Sequence, residues 1–166
     1  MPGQGKYGTV YDQLPTKKPL LEKLFKSSPQ YDGSYTLGKL VDTATVSARL
    51  GQAGQTVVDA RGAPRYRGEV EPLDPVAGHI PGALNRPFTD NFTPEGRFKP
   101  AAQLRSEWAA LLGQHAAESV VHQCGSGVSA VPNLIAMELA GFSPTALYAG
   151  SWSEWSRTPG LPCEKG

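Results

Sequence analysis

Apolar positions along the chain come in short bursts whose period switches between that of a helix and that of a strand. Leu20, Leu21, Leu24 and Phe25 make one face of a short helix that Ser27-Ser28-Pro29 stops. Residues 38–50 carry Leu40, Val41, Ala44, Ala48 and Leu50, with Gly51 as a stop signal, and predict a second helix. Thr56-Val57-Val58-Asp59-Ala60 is a β-rich run, and Ala83-Leu84-Asn85 after the Pro81-Gly82 turn predicts a very short strand. Pro100–Leu112 predicts a helix with Leu104, Trp108, Leu111 and Leu112 on one side and Gly113 at its end. Ser119–Gln123 predicts a strand. Ser129–Ala140 predicts a helix that tolerates Pro132 in its first turn and stops at Gly141. Thr145–Tyr148 predicts a last strand. Such alternation implies an α/β fold: a central parallel sheet of about five strands with helices on both faces.

Between these segments, glycine and proline mark the boundaries. Residues 1–34 read as an N-terminal arm or linker with one short helix, 35–160 as the folded domain and 161–166 as a tail. Nineteen Gly and fifteen Pro in 166 residues exceed the roughly 12% average, so loops are numerous. Apolar residues at 39% and charged residues at 19% suffice for a core and argue against wholesale disorder. A net charge of +1 with no basic stripe gives no reason to expect nucleic acid or a membrane surface as a partner. Two cysteines, Cys124 and Cys163, exclude a disulfide scaffold. Three scattered histidines and the lack of a CxxC give no metal site. The first residues have no apolar h-region, so a secretory signal is not expected, and a cytoplasmic or mitochondrial location is.

The chemistry concentrates in Ser119–Ala130, where a strand runs into Cys124-Gly125-Ser126-Gly127-Val128-Ser129 and the loop opens a helix. Ligands bind beyond the carboxyl ends of strands in open α/β sheets. Successive N–H groups in a glycine loop converge on one point, and a helix N-terminus adds partial positive charge, so a thiolate or an anion attached to it is stabilised there. Four readings compete. A phosphatase needs Cys-x5-Arg, and the sixth position holds Ala130, which disfavours it. Gly125-Ser-Gly127-Val-Ser-Ala130 matches a dinucleotide fingerprint, yet Pro144–Tyr148 lacks the acidic residue that fingerprint requires. A sulfur carrier, holding sulfur on Cys124 as a persulfide, suits an uncharged cradle. An inert cysteine buried at a strand end is the plain alternative.

Four segments in register carry a resemblance: Val57–Arg61, Gly78-His79-Ile80-Pro81-Gly82-Ala83-Leu84-Asn85, Cys124–Ala130 and Tyr148-Ala149-Gly150-Ser151-Trp152-Ser153-Glu154-Trp155. Together the chain resembles a rhodanese domain, and most specifically the catalytic C-terminal domain of the mercaptopyruvate-type sulfurtransferases. The resemblance implies a sulfurtransferase in which Cys124 takes a sulfane sulfur as a persulfide and passes it to cyanide or to a thiol acceptor such as thioredoxin or glutathione. No cofactor is implied. By the same resemblance the backbone of Gly125, Ser126, Gly127, Val128 and Ser129 forms the anion cradle, Ser126 lies near the sulfur and donor carbonyl, and Arg65 binds the donor carboxylate. Thiosulfate-preferring relatives carry cations in this loop. The uncharged Gly125-Ser126 pair therefore points to 3-mercaptopyruvate as donor, with thiosulfate as the alternative. The position of a second family arginine is Leu73. Such enzymes usually pair two rhodanese-like domains around the site, so residues 1–34, a partner rhodanese domain or a homodimer is expected to cover it. A non-catalytic half-module that needs or binds a partner is the rival reading.

Other polar residues have structural readings. Asp59 and Arg61 are expected to pair with each other or with backbone, and His79 to be a backbone-bonded turn residue. His122 is expected in the core and His115 on the surface. Trp152 and Trp155, three apart, predict one helix face packed on the core. Cys163 is expected to be a passive tail thiol.

Overall fold

The computed structural model describes residues 39–166; the predicted helix at Leu20–Phe25 and the arm over residues 1–34 lie outside them. Lys39–Val41 forms an edge strand, β1, where the apolar spacing had predicted the start of a helix. The break is made by Asp42. Its side chain accepts the Thr45 N–H at 2.8 Å and caps helix α1, which runs only from Thr43 to Ala48. Upstream of that cap, the backbone of Lys39–Val41 finds a partner strand instead.

The remaining elements follow the predicted alternation with trimmed ends, except for a short helix, Ala63–Tyr66, that the apolar spacing did not predict. They are β2 (Thr56–Asp59), α2 (Ala63–Tyr66), β3 (Leu84–Asn85), α3 (Ala101–Leu112), β4 (Val120–Gln123), α4 (Val131–Leu139), β5 (Ala146–Tyr148) and α5 (Ser151–Trp155). All the strands are parallel, in the order β1-β5-β4-β2-β3. The central strand β4 and its neighbour β2 are buried at every position. A parallel strand covered on both faces needs this composition.

Successive β4 side chains feed opposite faces. Val120 packs with Val58, Leu104, Trp108 and Met137 beneath α3 and α4. Val121 packs with Val57, Val46, Tyr148, Trp152 and Trp155 beneath α1 and α5. The tryptophan pair thus lies in the core, as its spacing predicts. His122 is fully buried on the α3 side, edge-on to Trp108 with ring centroids 5.7 Å apart. Neither ring nitrogen has a hydrogen-bond partner among the described residues, and burial pushes its pKa down to about 3.

The C-terminal tail is fastened down. His79 and Glu164 exchange backbone hydrogen bonds of 2.8 and 2.9 Å, and the Trp155 indole donates to the Pro162 carbonyl at 2.8 Å. His79 stacks on Tyr66 with centroids 3.9 Å apart and places Nδ1 2.8 Å from the Tyr66 carbonyl, the backbone-held role its turn suggested. Among the described residues, no helix is long and apolar enough to cross a membrane. No group of three or more His, Cys, Asp or Glu among them is placed to hold a metal ion.

Candidate active site

Because the strands are parallel, their carboxyl ends share one edge of the sheet, and Cys124 follows β4 at that edge. It is flanked by the segments that follow β2 and β5. The Ala60 N–H donates to the Gln123 carbonyl at 2.8 Å, and the Trp152 N–H donates to the Cys124 carbonyl at 3.0 Å. The Cys124 N–H donates to Ser151 Oγ at 3.1 Å, and that hydroxyl donates to the Tyr148 carbonyl at 2.9 Å. Ser151 holds this position with a φ of +54°, the left-handed region that a side chain rarely adopts. Cys124 is only 2% exposed, yet it contributes to a cavity of about 240 Å³.

Beyond Cys124 the chain curls as predicted. Among the described residues, none of the backbone N–H groups from Gly125 to Ala130 has an acceptor, which leaves a run of donors around the cavity. Gly127 is required. Its φ is +81°, and a Cβ there would lie 2.6 Å from the Ala149 carbonyl oxygen. The helix α4 starts at Val131, two residues later than predicted, because Val128–Ala130 form a turn first. Gly125, Ser126 and Ser129 line the cavity; Val128 points out, 72% exposed.

Arg65 lies across this loop from α2. A Cβ at Gly125 would meet its Nη1 at 3.4 Å. The guanidinium is already engaged on its other side, with Nη2 2.7 Å from Glu71 Oε1 and 3.5 Å from Asp74 Oδ2. Its Nη1 has no acceptor among the described residues, so one donor faces the cavity. Arg61 is buried. It grips Asp59 with a shortest contact of 2.6 Å, donates to the Gly78 carbonyl at 2.7 Å, and lies over the Trp152 ring at 4.8 Å. The predicted Asp59–Arg61 pair therefore ties loops together. Asp74 also takes Arg157 Nη1 at 2.6 Å and the Ser153 hydroxyl at 3.1 Å. Three guanidiniums (Arg61, Arg65, Arg157) thus face three carboxylates (Asp59, Glu71, Asp74), and this cluster carries no net charge.

A model of the rhodanese-like domain matches residues 42–158, which takes in this whole site. The chain belongs to the rhodanese-like family. Among curated relatives of this rhodanese chain, a Pseudomonas aeruginosa protein named "Probable 3-mercaptopyruvate sulfurtransferase" is 52% identical over 136 residues, 82% of this chain and 48% of that protein. A Mycobacterium tuberculosis protein named "Putative thiosulfate sulfurtransferase SseB" is 40% identical over 82% of this chain and 46% of its own length. The chain spans about half the length of the curated relatives it matches. Among solved structures, the anaerobic ergothioneine biosynthesis enzyme from Chlorobium limicola aligns with a TM-score of 0.68 at 25% identity, over 76% of this chain and 32% of that one.

The structure brings Cys124, Gly125, Ser126, Ser129 and Arg65 to one rhodanese cavity. Gly127 shapes its loop without lining it, and Leu73, where a second family arginine was expected, sits on the rim, 71% exposed. His115 and Cys163 are exposed, and partial desolvation pushes the Cys163 thiol up. Sequence reasoning missed Ser151, Ser153, Glu71 and Asp74. The run Ser151-Trp152-Ser153 was visible, but nothing local reveals that its hydroxyls meet Cys124 and Asp74 from 27 and 79 residues away.

Proposed function

We propose that this rhodanese domain is a sulfurtransferase working through a Cys124 persulfide, with 3-mercaptopyruvate as its preferred donor. The observation that carries this reading is Cys124 in the lining of a cavity beside an uncharged loop whose N–H groups have no acceptor among the described residues. The Cys124 thiolate attacks the donor sulfur. An S–S bond forms, the donor's C–S bond breaks, and its electron pair leaves on pyruvate as the enolate. The N–H groups of Gly125 to Ser129 hold the terminal persulfide anion, and Arg65 Nη1 takes the donor carboxylate. Cyanide or a thiol then attacks the outer sulfur and returns the thiolate. Thiosulfate follows the same course with sulfite leaving. It fits this site less well, because a dianion must compete with Glu71 and Asp74 for Arg65 and Leu73 supplies no second cation.

The half-length match supports a second reading, a rhodanese module that acts only beside a partner domain or a second copy. Thiocyanate formation from cyanide, measured with both donors for the wild type and Cys124→Ser, decides between them. Turnover with mercaptopyruvate, gain of one sulfur in the intact mass, and loss of both in the variant are expected. Folded protein that neither turns over nor gains sulfur establishes the module reading.

A further inference from the structure

Resting on that proposed function, we infer that Ser153 is the proton relay of the donor half-reaction and that buried Asp74 holds it in place, takes its proton and gives it back. Ser153 lines the same cavity as Cys124. Its N–H donates to the Gly125 carbonyl at 2.9 Å, which fixes α5 against the cysteine loop. Its hydroxyl donates to Asp74 Oδ2 at 3.1 Å. That carboxylate is 2% exposed and held by Arg157 at 2.6 Å and Arg65 at 3.5 Å. A hydroxyl has one proton to give and two lone pairs. With its proton committed to Asp74, Ser153 has lone pairs left to accept a proton in the cavity that Cys124 also lines.

The donor chemistry needs such a group. Attack of the Cys124 thiolate on the thiol sulfur of mercaptopyruvate forms Cys124–S–SH and expels the enolate of pyruvate. The persulfide then carries a proton too many, and C3 of the enolate lacks one. Ser153 accepts the persulfide proton as its own passes to Asp74. The return of that proton through Ser153 to C3 gives pyruvate and leaves the persulfide as an anion in the N–H cradle. The donor's own thiol proton is the one that ends on carbon, so no outside acid or base is consumed. Thiosulfate has no such requirement, because sulfite leaves as a stable anion.

The test compares both donors in the full chain for the wild type, Ser153→Ala, Ser153→Thr and Asp74→Asn, with unfolding curves to establish that each variant folds. Ser153→Ala is expected to lower kcat for mercaptopyruvate about 10²- to 10⁴-fold relative to kcat for thiosulfate. Ser153→Thr, which keeps the hydroxyl, should restore most of that ratio. Asp74→Asn should alter the pH profile with mercaptopyruvate alone. Equal losses with both donors, no loss, or no rescue by threonine would overturn the relay and leave Ser153 a loop tether. A wild type that forms persulfide from neither donor would overturn the sulfurtransferase reading itself, and a wild type active only on thiosulfate would overturn the relay alone.

Discussion

Ser151 shows how much of the site rests on one side chain. Its hydroxyl bridges the Cys124 N–H and the Tyr148 carbonyl, and its backbone takes the left-handed conformation to do so. Ser151→Ala keeps the backbone penalty and strands a buried N–H, which costs about 1–3 kcal/mol. Ser151→Gly strands the same N–H but removes the penalty of a side chain at positive φ, which is about 1–2 kcal/mol. Urea unfolding should therefore rank the wild type first, the glycine variant second and the alanine variant last, at constant m-value. Alanine proving more stable than glycine would mean that the conformation carries no cost. None of this was legible in the sequence. Ser151 lay inside a recognisable run, but its partner follows a different strand. The cysteine loop was legible, because its chemistry is local: a thiol, two glycines and a strand on one side.

At the scale of elements, the burst pattern located β2, β3, β4, β5, α3 and α4 to within a residue or two. It failed at residues 38–50, where apolar spacing alone could not register that Asp42 caps a helix in mid-window. β4 carries a further consequence. His122 is buried with no hydrogen-bond partner among the described residues, and burial takes its pKa from 6.5 to about 3. The unfolded chain binds the proton below 6.5, while the folded chain refuses it until about 3. The stability tied to this neutral ring is thus fully present above the higher value. It falls by up to about 1.4 kcal/mol per unit as pH drops through the window. His122→Leu should flatten that stretch of the stability–pH curve, measured by urea unfolding in steps below neutrality. An unchanged slope would show that the ring is not buried neutral.

Across the whole molecule, the C-terminal tail closes a circuit that the sequence did not announce. Termini are usually loosely held, but Glu164 pairs with His79, Pro162 takes the Trp155 indole, and a Cβ at Gly78 would run into the Glu164 carbonyl. Deleting residues 162–166 removes the His79 pair, the indole bond and the Gly166-to-Arg67 contact. At about 0.5–1.5 kcal/mol for each of these four hydrogen bonds, the deletion should cost about 2–6 kcal/mol and lower the thermal midpoint by several degrees. A midpoint that does not move would mean that the tail is not docked in solution. The balanced set of three guanidiniums and three carboxylates beside Cys124 works over a longer range. Charges cancelled within a few ångströms project almost no field past one Debye length, about 8 Å in physiological salt. That cluster therefore offers a small anion approaching the mouth neither a funnel nor a barrier. The cluster adds no long-range pull, and Arg65 acts on the anion only at contact, so its contribution to capture is nearly indifferent to the salt around it.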